Sequence, residues 1–514
     1  MVPASEIAAP SSTPTRPKGL LWRLAFEPPR AVEIAGWVVL ALAIIGIRMY
    51  LWHLLPAYLW SKDSMRYSQA PLHWLETGIW ENDPKRGPIY SLVIAFCAKL
   101  WGTFNAVTIF QHVLGGVAVF LSALALRWAY GPRSAWPVIT AGLGFAIFGQ
   151  VLQLEQLIRN DLLLMFLSVV AFVTWLLALK RESAGWLFVS GLAVAILTIT
   201  KNVFAPFPVM VLAGCFWQYR HKLGVAFRHA GIFVVGIILP FIATAVFKQM
   251  TVHNKPPEPQ AGAMLFARVA QFTVLDGGIE PELKELIRGD IEEYKKQSKK
   301  HPGKNEDLDN NLILNRTAVP RLKAYFIAHG KMPADADRFC RQMAIEAIRA
   351  HPKEYWKQVW GDFVTLHRDK GSRLKVPTAS DVKKPTQRLV AEQRSPFLQT
   401  EATYHRLEPG FHDKHYHTYQ KITGFAWIFS TSPILLTSIF VTLLPLFMKG
   451  EMRLWWLGAL AQWWFTVVLL CTIGRPLSRY LMPVVPVIYW SLTTVLVLGW
   501  GWIGSRLESR AVSE

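Results

Sequence analysis

IAGWVVLALAIIGIRMYLWHLL, residues 34–55, leads into SKDSMRYSQAPLHWLETGIWENDPKRGPIYS, residues 61–91. The first stretch is long and apolar enough to cross a bilayer as a helix, which takes about 20 residues; Arg48 is its one formal charge. The second is polar and aromatic, with an early acid, Asp63, and a late basic pair, Lys85 and Arg86. A membrane-crossing helix that delivers an acid-bearing loop to one surface is the pattern around which the remaining segments arrange themselves.

The chain has 514 residues, 52% of them hydrophobic, with 22 Trp, and the apolar residues come in blocks rather than an even spread. This predicts an all-α fold, a polytopic transmembrane helical bundle; a barrel would show period-two alternation. The formal net charge is +20. Lys and Arg gather at segment ends, as cytoplasmic loops require, and not in one soluble basic domain, which argues against nucleic acid as a partner. The four cysteines show no CxxC spacing, which speaks against a disulfide framework or zinc knuckle. Residues 1–30, rich in Pro, Ser and Ala, read as a disordered cytoplasmic tail. The first apolar block is too long for a signal-peptide core and lacks a cleavage site, so it reads as a retained helix.

Alternation of basic ends predicts about ten spans, at 34–55, 105–126, 135–153, 162–179, 184–200, 203–217, 230–247, 423–447, 455–473 and 481–503. The run 89–102 is too short to cross and reads as interfacial or re-entrant. The expected organisation is an N-terminal transmembrane module over 31–247 with its first external loop at 56–104. An extracytoplasmic, mostly helical region follows over 248–421, then C-terminal membrane helices over 422–503 and a cytoplasmic tail over 504–514. Within the external region an amphipathic helix ends near His351-Pro352, a second piece runs from Tyr355 to Val364, and 370–400 reads as a mobile connector.

In this topology the ionisable residues converge on one side: Asp63, Lys85, Arg86, Glu155, Arg159, Asp161, Lys201, Arg475 and Arg479. Asp63 suits an N-cap of the helix that follows, and a cap also fixes a carboxylate in space. Pro71 should kink or split that helix, and Gly78 suits its C-terminal stop. Asn160-Asp161 can likewise cap, and Lys201 can snorkel to the interface. A cluster with His405, His412, His415 and His417 fits either solvated imidazoles or a zinc site.

Asp63, Tyr67 and Ala70, then Gly78, then Arg86, Pro88 and Tyr90 opening an apolar run that ends in Gly102, resemble the first external loop of the GT-C superfamily of polyprenyl-phosphate-sugar glycosyltransferases. The similarity extends to the protein O-mannosyltransferases and the aminoarabinose–lipid A transferases and covers about the first 210 residues. Ser64 stands where the mannosyltransferases tend to carry Glu. The resemblance implies a GT-C-like bundle that transfers a sugar from a polyprenyl-phosphate donor to an acceptor hydroxyl on protein, lipid or glycan, with inversion. It also implies a bacterial cytoplasmic membrane, with the site facing outward. Asp63 is then the base and Asp161 a second catalytic acid. Lys85, Arg86, Lys201, Arg475 and Arg479 hold donor phosphate, and Glu155, Tyr67 and Tyr90 orient the acceptor. Asp161 or Glu155 could instead hold a divalent cation. Two other functions stay open: a transporter or flippase of lipid-linked glycan, which calls for mid-membrane charge and an internal repeat, and a non-catalytic scaffold.

Overall fold

The computed structural model describes residues 20–55, 62–83, 86–201, 206–251, 259–300, 309–368, 418, 421–422, 433–472, 481 and 484–513. The connector 370–400, the histidine cluster, Lys85, Arg475 and Arg479 lie outside these. Among the described residues regular structure is helical, with no extended strand.

The membrane region begins with a short helix α1 (Leu20–Phe26) and the first long helix α2 (Arg30–Leu54). Two non-spanning helices follow, α3 (Lys62–Thr77) and α4 (Pro88–Trp101). Next are α5 (Asn105–Tyr130), α6 (Ala135–Ala146), α7 (Gly149–Gln156), α8 (Asp161–Arg181), α9 (Ala184–Thr200), α10 (Pro206–Gln218) and α11 (Leu223–Gln249). After an intervening helical region, α17 (Pro433–Phe447), α18 (Gly450–Thr472) and α19 (Val485–Ser513) complete the bundle.

Each of the ten expected spans meets a helix or a helix pair, and among the described residues six helices are long and apolar enough to cross on their own: α2, α5, α8, α11, α18 and α19. The segment expected as one span over 135–153 is α6 and α7, bent by 47° at their junction, which makes up to seven. The segment expected at 184–200 appears as the shorter apolar helix α9, and those expected at 203–217 and 423–447 meet α10 and α17, whose described residues begin at Pro206 and Pro433. The protein is therefore a multi-pass membrane protein. The run 89–102 forms the 14-residue α4, too short to cross.

At the centre stands α8, buried along most of its length. Phe172 and Trp175 pack there against Phe207, Trp455 and Trp490. α2, α5 and α11 carry rows of exposed Ile, Val, Leu and Phe on their outer faces, which suits contact with hydrocarbon.

Pro71 neither kinks α3 apart nor ends it: the helix runs unbroken from Lys62 to Thr77. A helical proline strands the carbonyl four residues back, here that of Tyr67. Ser91 of α4 donates its hydroxyl to this carbonyl at 2.9 Å, so the lost backbone bond is replaced from a neighbouring helix. Gly78 ends α3 with φ +73°, its N–H donating to the Trp74 carbonyl at 2.9 Å.

The described residues between α11 and α17 have their own core, built on α12 (Ala261–Val269), α13 (Pro281–Lys300), α14 (Ala318–Ala328), α15 (Pro333–Ala350) and α16 (Pro352–Arg368). The helix expected to end near His351-Pro352 is α15, and the piece expected from Tyr355 to Val364 lies within α16. α16 joins the two cores: Tyr355 is buried in this one and Leu366 in that of the membrane helices. Tyr355 donates to the Thr472 carbonyl at 3.2 Å, and Arg268 of α12 donates to the Cys471 carbonyl and to Asp362. These bonds occupy carbonyls at the end of α18 that helix geometry leaves open.

α9 and α11 cross closely at a pair of glycines. A Cβ on Gly191 would lie 2.4 Å from the Phe233 carbonyl oxygen, and one on Gly236 would lie 2.5 Å from that of Phe188. Small residues let helix backbones approach in this way. Gly236→Val should force the helices apart and destabilise the protein by about 1–3 kcal/mol, read as a lower thermal midpoint in detergent; an equal change at Gly231, which has open space around it, should leave the midpoint in place.

Candidate functional site

α3 places Asp63 in its first turn and Tyr67 four residues on, a spacing that puts both on one face. Arg86, just before α4, reaches back to both. Its Nη2 donates to Asp63 Oδ1 at 2.8 Å and its Nη1 to the Tyr67 hydroxyl oxygen at 2.9 Å. Its guanidinium lies 4.9 Å from the Tyr67 ring centroid. Arg159, in the turn between α7 and α8, donates to Asp63 Oδ2 at 2.9 Å. Each oxygen of the Asp63 carboxylate thus has its own arginine, the charge-assisted type of bond that fixes a side chain most firmly. The Asp63 side chain keeps 31% of its surface open and that of Arg86 28%, while that of Arg159 keeps 9%, so the acid and one of its two arginines are reachable.

Asp161 opens α8, with Oδ1 3.8 Å from Lys201 Nζ at the end of α9. Asp161 and Asp63 both raise the Tyr67 phenol electrostatically, which places the two acids around one ring. Burial is the larger cause and pushes Tyr67 well above the ordinary phenol value, against the opposing charge of Arg86. Burial likewise raises Tyr90, with Tyr67 and Asp161 adding to it. Both phenols stay protonated at neutral pH, so neither is the base. Burial works against the Arg86 charge, but Tyr67, Asp63 and Asp83 outweigh it and its pKa rises.

Behind this layer Tyr90 meets Tyr67 edge-on at 5.1 Å and donates its hydroxyl to Gln111 Oε1 at 2.5 Å. Gln111 Nε2 points at the carbonyls of Leu154, Glu155 and Leu157, at 3.3, 2.9 and 3.0 Å. One amide on α5 therefore ties α4 to the end of α7, the turn that carries Arg159.

Glu155, expected beside the acceptor, is placed elsewhere. Its side chain is fully buried and held by Arg48 Nη2 at 2.5 Å and His112 Nδ1 at 2.8 Å. A glutamate sealed between α2, α5 and α7 offers no surface to an acceptor in this arrangement and acts as a strut. It needs Gly115, where a Cβ would come within 1.9 Å of its Oε1.

The structure brings together Asp63, Tyr67, Arg86, Tyr90, Asp161 and Lys201 from the sequence expectations. It adds Arg159 to the clamp and Gln111, His112 and Ser91 to its support. FQHVLGG, residues 110–116, held a signal for the support: two polar residues and two glycines side by side in an otherwise apolar span. Among the described residues no group of three or more His, Cys, Asp or Glu side chains converges as a metal site would require.

Fold and site together define a multi-pass, all-helical membrane protein with an arginine-clamped carboxylate at one end of its bundle. No family model and no curated protein sequence matches the chain. Among solved structures it is similar to ArnT from Cupriavidus metallidurans, in the apo state and bound to undecaprenyl phosphate. In both cases the identity is 16%, the match covers 86% of this chain and 78% of that one, and the TM-score is 0.34. It is also similar to the apo oligosaccharyltransferase of Archaeoglobus fulgidus, at 12% identity over 90% of this chain and 50% of that one, with a TM-score of 0.38.

Gln111→Leu keeps the volume and removes the amide. It leaves the Tyr90 hydroxyl and the carbonyls at the end of α7 without their partner, at about 1–3 kcal/mol for each buried group left unsatisfied. The expected result is a lower thermal midpoint in detergent, together with faster proteolysis at the 157–160 turn.

Proposed function

We propose that the chain is an integral membrane glycosyltransferase that moves a sugar from a polyprenyl-phosphate donor to an acceptor hydroxyl, with inversion, on the outward face of a bacterial cytoplasmic membrane. The observation that carries this reading is the half-open Asp63 carboxylate with one arginine on each oxygen, beside the Asp161–Lys201 pair.

The chemistry needs two things of the protein. The acceptor oxygen must lose its proton as it forms a bond to the anomeric carbon, and a carboxylate within hydrogen-bond reach takes it. The bond from that carbon to the phosphate oxygen breaks with its electron pair, and positive charge must meet the departing oxygens. Asp63 is the base in this reading. Arg86, Arg159 and Lys201 meet the phosphate, joined by Lys85, Arg475 and Arg479 on the sequence argument alone. Phosphate already leaves as a stable anion, so no strong general acid is required.

The arginines serve both partners. A guanidinium carries five N–H donors in a planar fork, and Arg86 spends one on Asp63 and one on Tyr67. Donor phosphate competes for the same clamp and loosens its hold on the carboxylate as the acceptor arrives. Asp161 holds Lys201 near the leaving group, and Tyr67 and Tyr90 fix the wall against which the acceptor is oriented.

The test is transfer by the purified protein from a panel of polyprenyl-phosphate sugars. Asp63→Asn should lower turnover by about 10²–10⁴-fold while donor binding persists. Lys201→Ala should weaken donor binding as well as turnover. Absence of transfer by the wild type from every donor would overturn the class; full-rate transfer by Asp63→Asn would overturn the base.

A further inference from the structure

α16 carries rings at Trp356, Trp360, Phe363 and His367. The spacing i, i+4, i+7, i+11 puts them on one face of the helix. Tyr355, Val359 and Leu366 lie on a neighbouring face and pack into the two cores. Trp356 and Trp360 stay outside both and are 59% and 65% exposed. They are the only two of the chain's 22 tryptophans between residues 250 and 421. An indole has an apolar body and one N–H, which suits a boundary between hydrocarbon and water.

α16 runs beside α18 in the opposite direction. Tyr355 donates to the carbonyl of Thr472, the last residue of α18. Two turns further on, Phe363 and His367 stack on Trp464, with ring centroids 6.1 and 6.4 Å away. Trp464 precedes Thr472 by eight residues, so the C-terminal half of α16 reaches about 12 Å along α18, a helix long and apolar enough to cross a membrane.

There the ring-bearing face meets α17 across a groove of about 560 Å³. α17 buries Val441 and Leu444 in the core of the membrane helices, while Leu435, Ile439 and Leu443 line the groove and are each at least 43% exposed. The polar groups of the groove bond to one another. His367 Nδ1 donates to the Phe363 carbonyl at 2.8 Å and its Nε2 meets Ser438 Oγ at 2.9 Å. The Thr442 hydroxyl donates to the Ser438 carbonyl at 2.6 Å and Trp464 Nε1 to Thr442 Oγ1 at 3.0 Å. A wall whose polar groups are already bonded loses little by leaving water. At the N-terminal end of α16 the exposed side chains beside Trp356 are charged, Lys353 and Lys357.

We infer that α16 enters the bilayer with this face against lipid, Trp356 and Trp360 at the level of the headgroups and an acyl chain in the groove below them. The order along the helix is that of a leaflet: lysines, then indoles, then an aliphatic groove. The occupant is the bilayer itself, because the exposed aliphatic face of a membrane helix, α17, continues across the groove onto α16. The helical region between α11 and α17 is thereby anchored in lipid as well as bonded to α18. This anchoring is independent of the transfer reaction.

The experiment uses the full chain in lipid nanodiscs, with a nitroxide on one introduced cysteine at a time; the four native cysteines are buried. Labels go on Trp356→Cys and Trp360→Cys, with Leu443→Cys as the hydrocarbon reference and the exposed Arg338→Cys as the water reference. Collisions with oxygen, which concentrates in hydrocarbon, are compared with collisions with a neutral nickel chelate, which stays in water. The oxygen-to-nickel ratio at 360 should approach that at 443, and the ratio at 356 should fall between the two references. A ratio at 360 as low as that at 338 would overturn insertion. Low collision rates with both reagents would show the face covered by protein and overturn lipid as the occupant. A label-free reading uses lipids brominated high on the acyl chain. They should quench the tryptophan fluorescence of the wild type more than that of the Trp356→Phe, Trp360→Phe double variant, and equal fractional quenching would overturn the contact.

Discussion

The arrangement depends on how one broken span is made tolerable. α6 and α7 meet at a 47° bend, and α7 ends in backbone carbonyls that helix geometry leaves open. Irregular backbone at membrane depth survives only where protein supplies the missing bonds. Gln111 supplies them from α5, Arg48 and His112 hold the adjacent Glu155, and Gln156 reaches back to the carbonyl of Leu55. The break is thereby braced from α2 and α5, and the turn beyond it carries Arg159 to Asp63. A straight span would deliver its end to the surface without that constraint.

From this follows the geometry around Asp63. Its carboxylate is held from two directions, by Arg86 on its own loop and by Arg159 across the bundle. The two contacts are separated by 23 and 96 residues in sequence, so both the loop and the broken span must be in place for the clamp to close. Tyr67 and Tyr90 link the layers: one accepts from Arg86, the other donates to the Gln111 that braces the turn. A loop that leaves the membrane after the first helix is thus tied back to the third and fourth apolar blocks through buried polar contacts rather than through its own length.

Much of this was legible in the sequence. Asp63, Tyr67, Arg86 and Tyr90 sit in one hydrophilic stretch between apolar blocks, and Arg159 and Asp161 in another, so charge contrast alone marks them. Helix length was less legible because hydropathy registers apolar content and not where a helix stops: α9 is as hydrophobic as α5 but only 17 residues long. The continuity of α3 was hidden because local rules see only that Pro71 removes a bond. The hydroxyl that replaces it comes from Ser91, twenty-four residues away from Tyr67. Glu155 was misplaced for a related reason: linear position put it beside Arg159, whereas the turn of α7 sends it to the opposite side, towards Arg48.

That separation of Glu155 from Asp161 divides the labour of the acids. A carboxylate enclosed by Arg48 and His112 is costly to bury and strongly destabilising if one partner is removed, which makes it suited to specifying a fold and unsuited to taking up and releasing a proton in each turnover. A carboxylate with nearly a third of its side chain open stands at the surface of its cluster instead. The two acids differ by environment rather than by residue chemistry. The buried one sets where the turn stands, and the turn, through Arg159, sets how the open one is held.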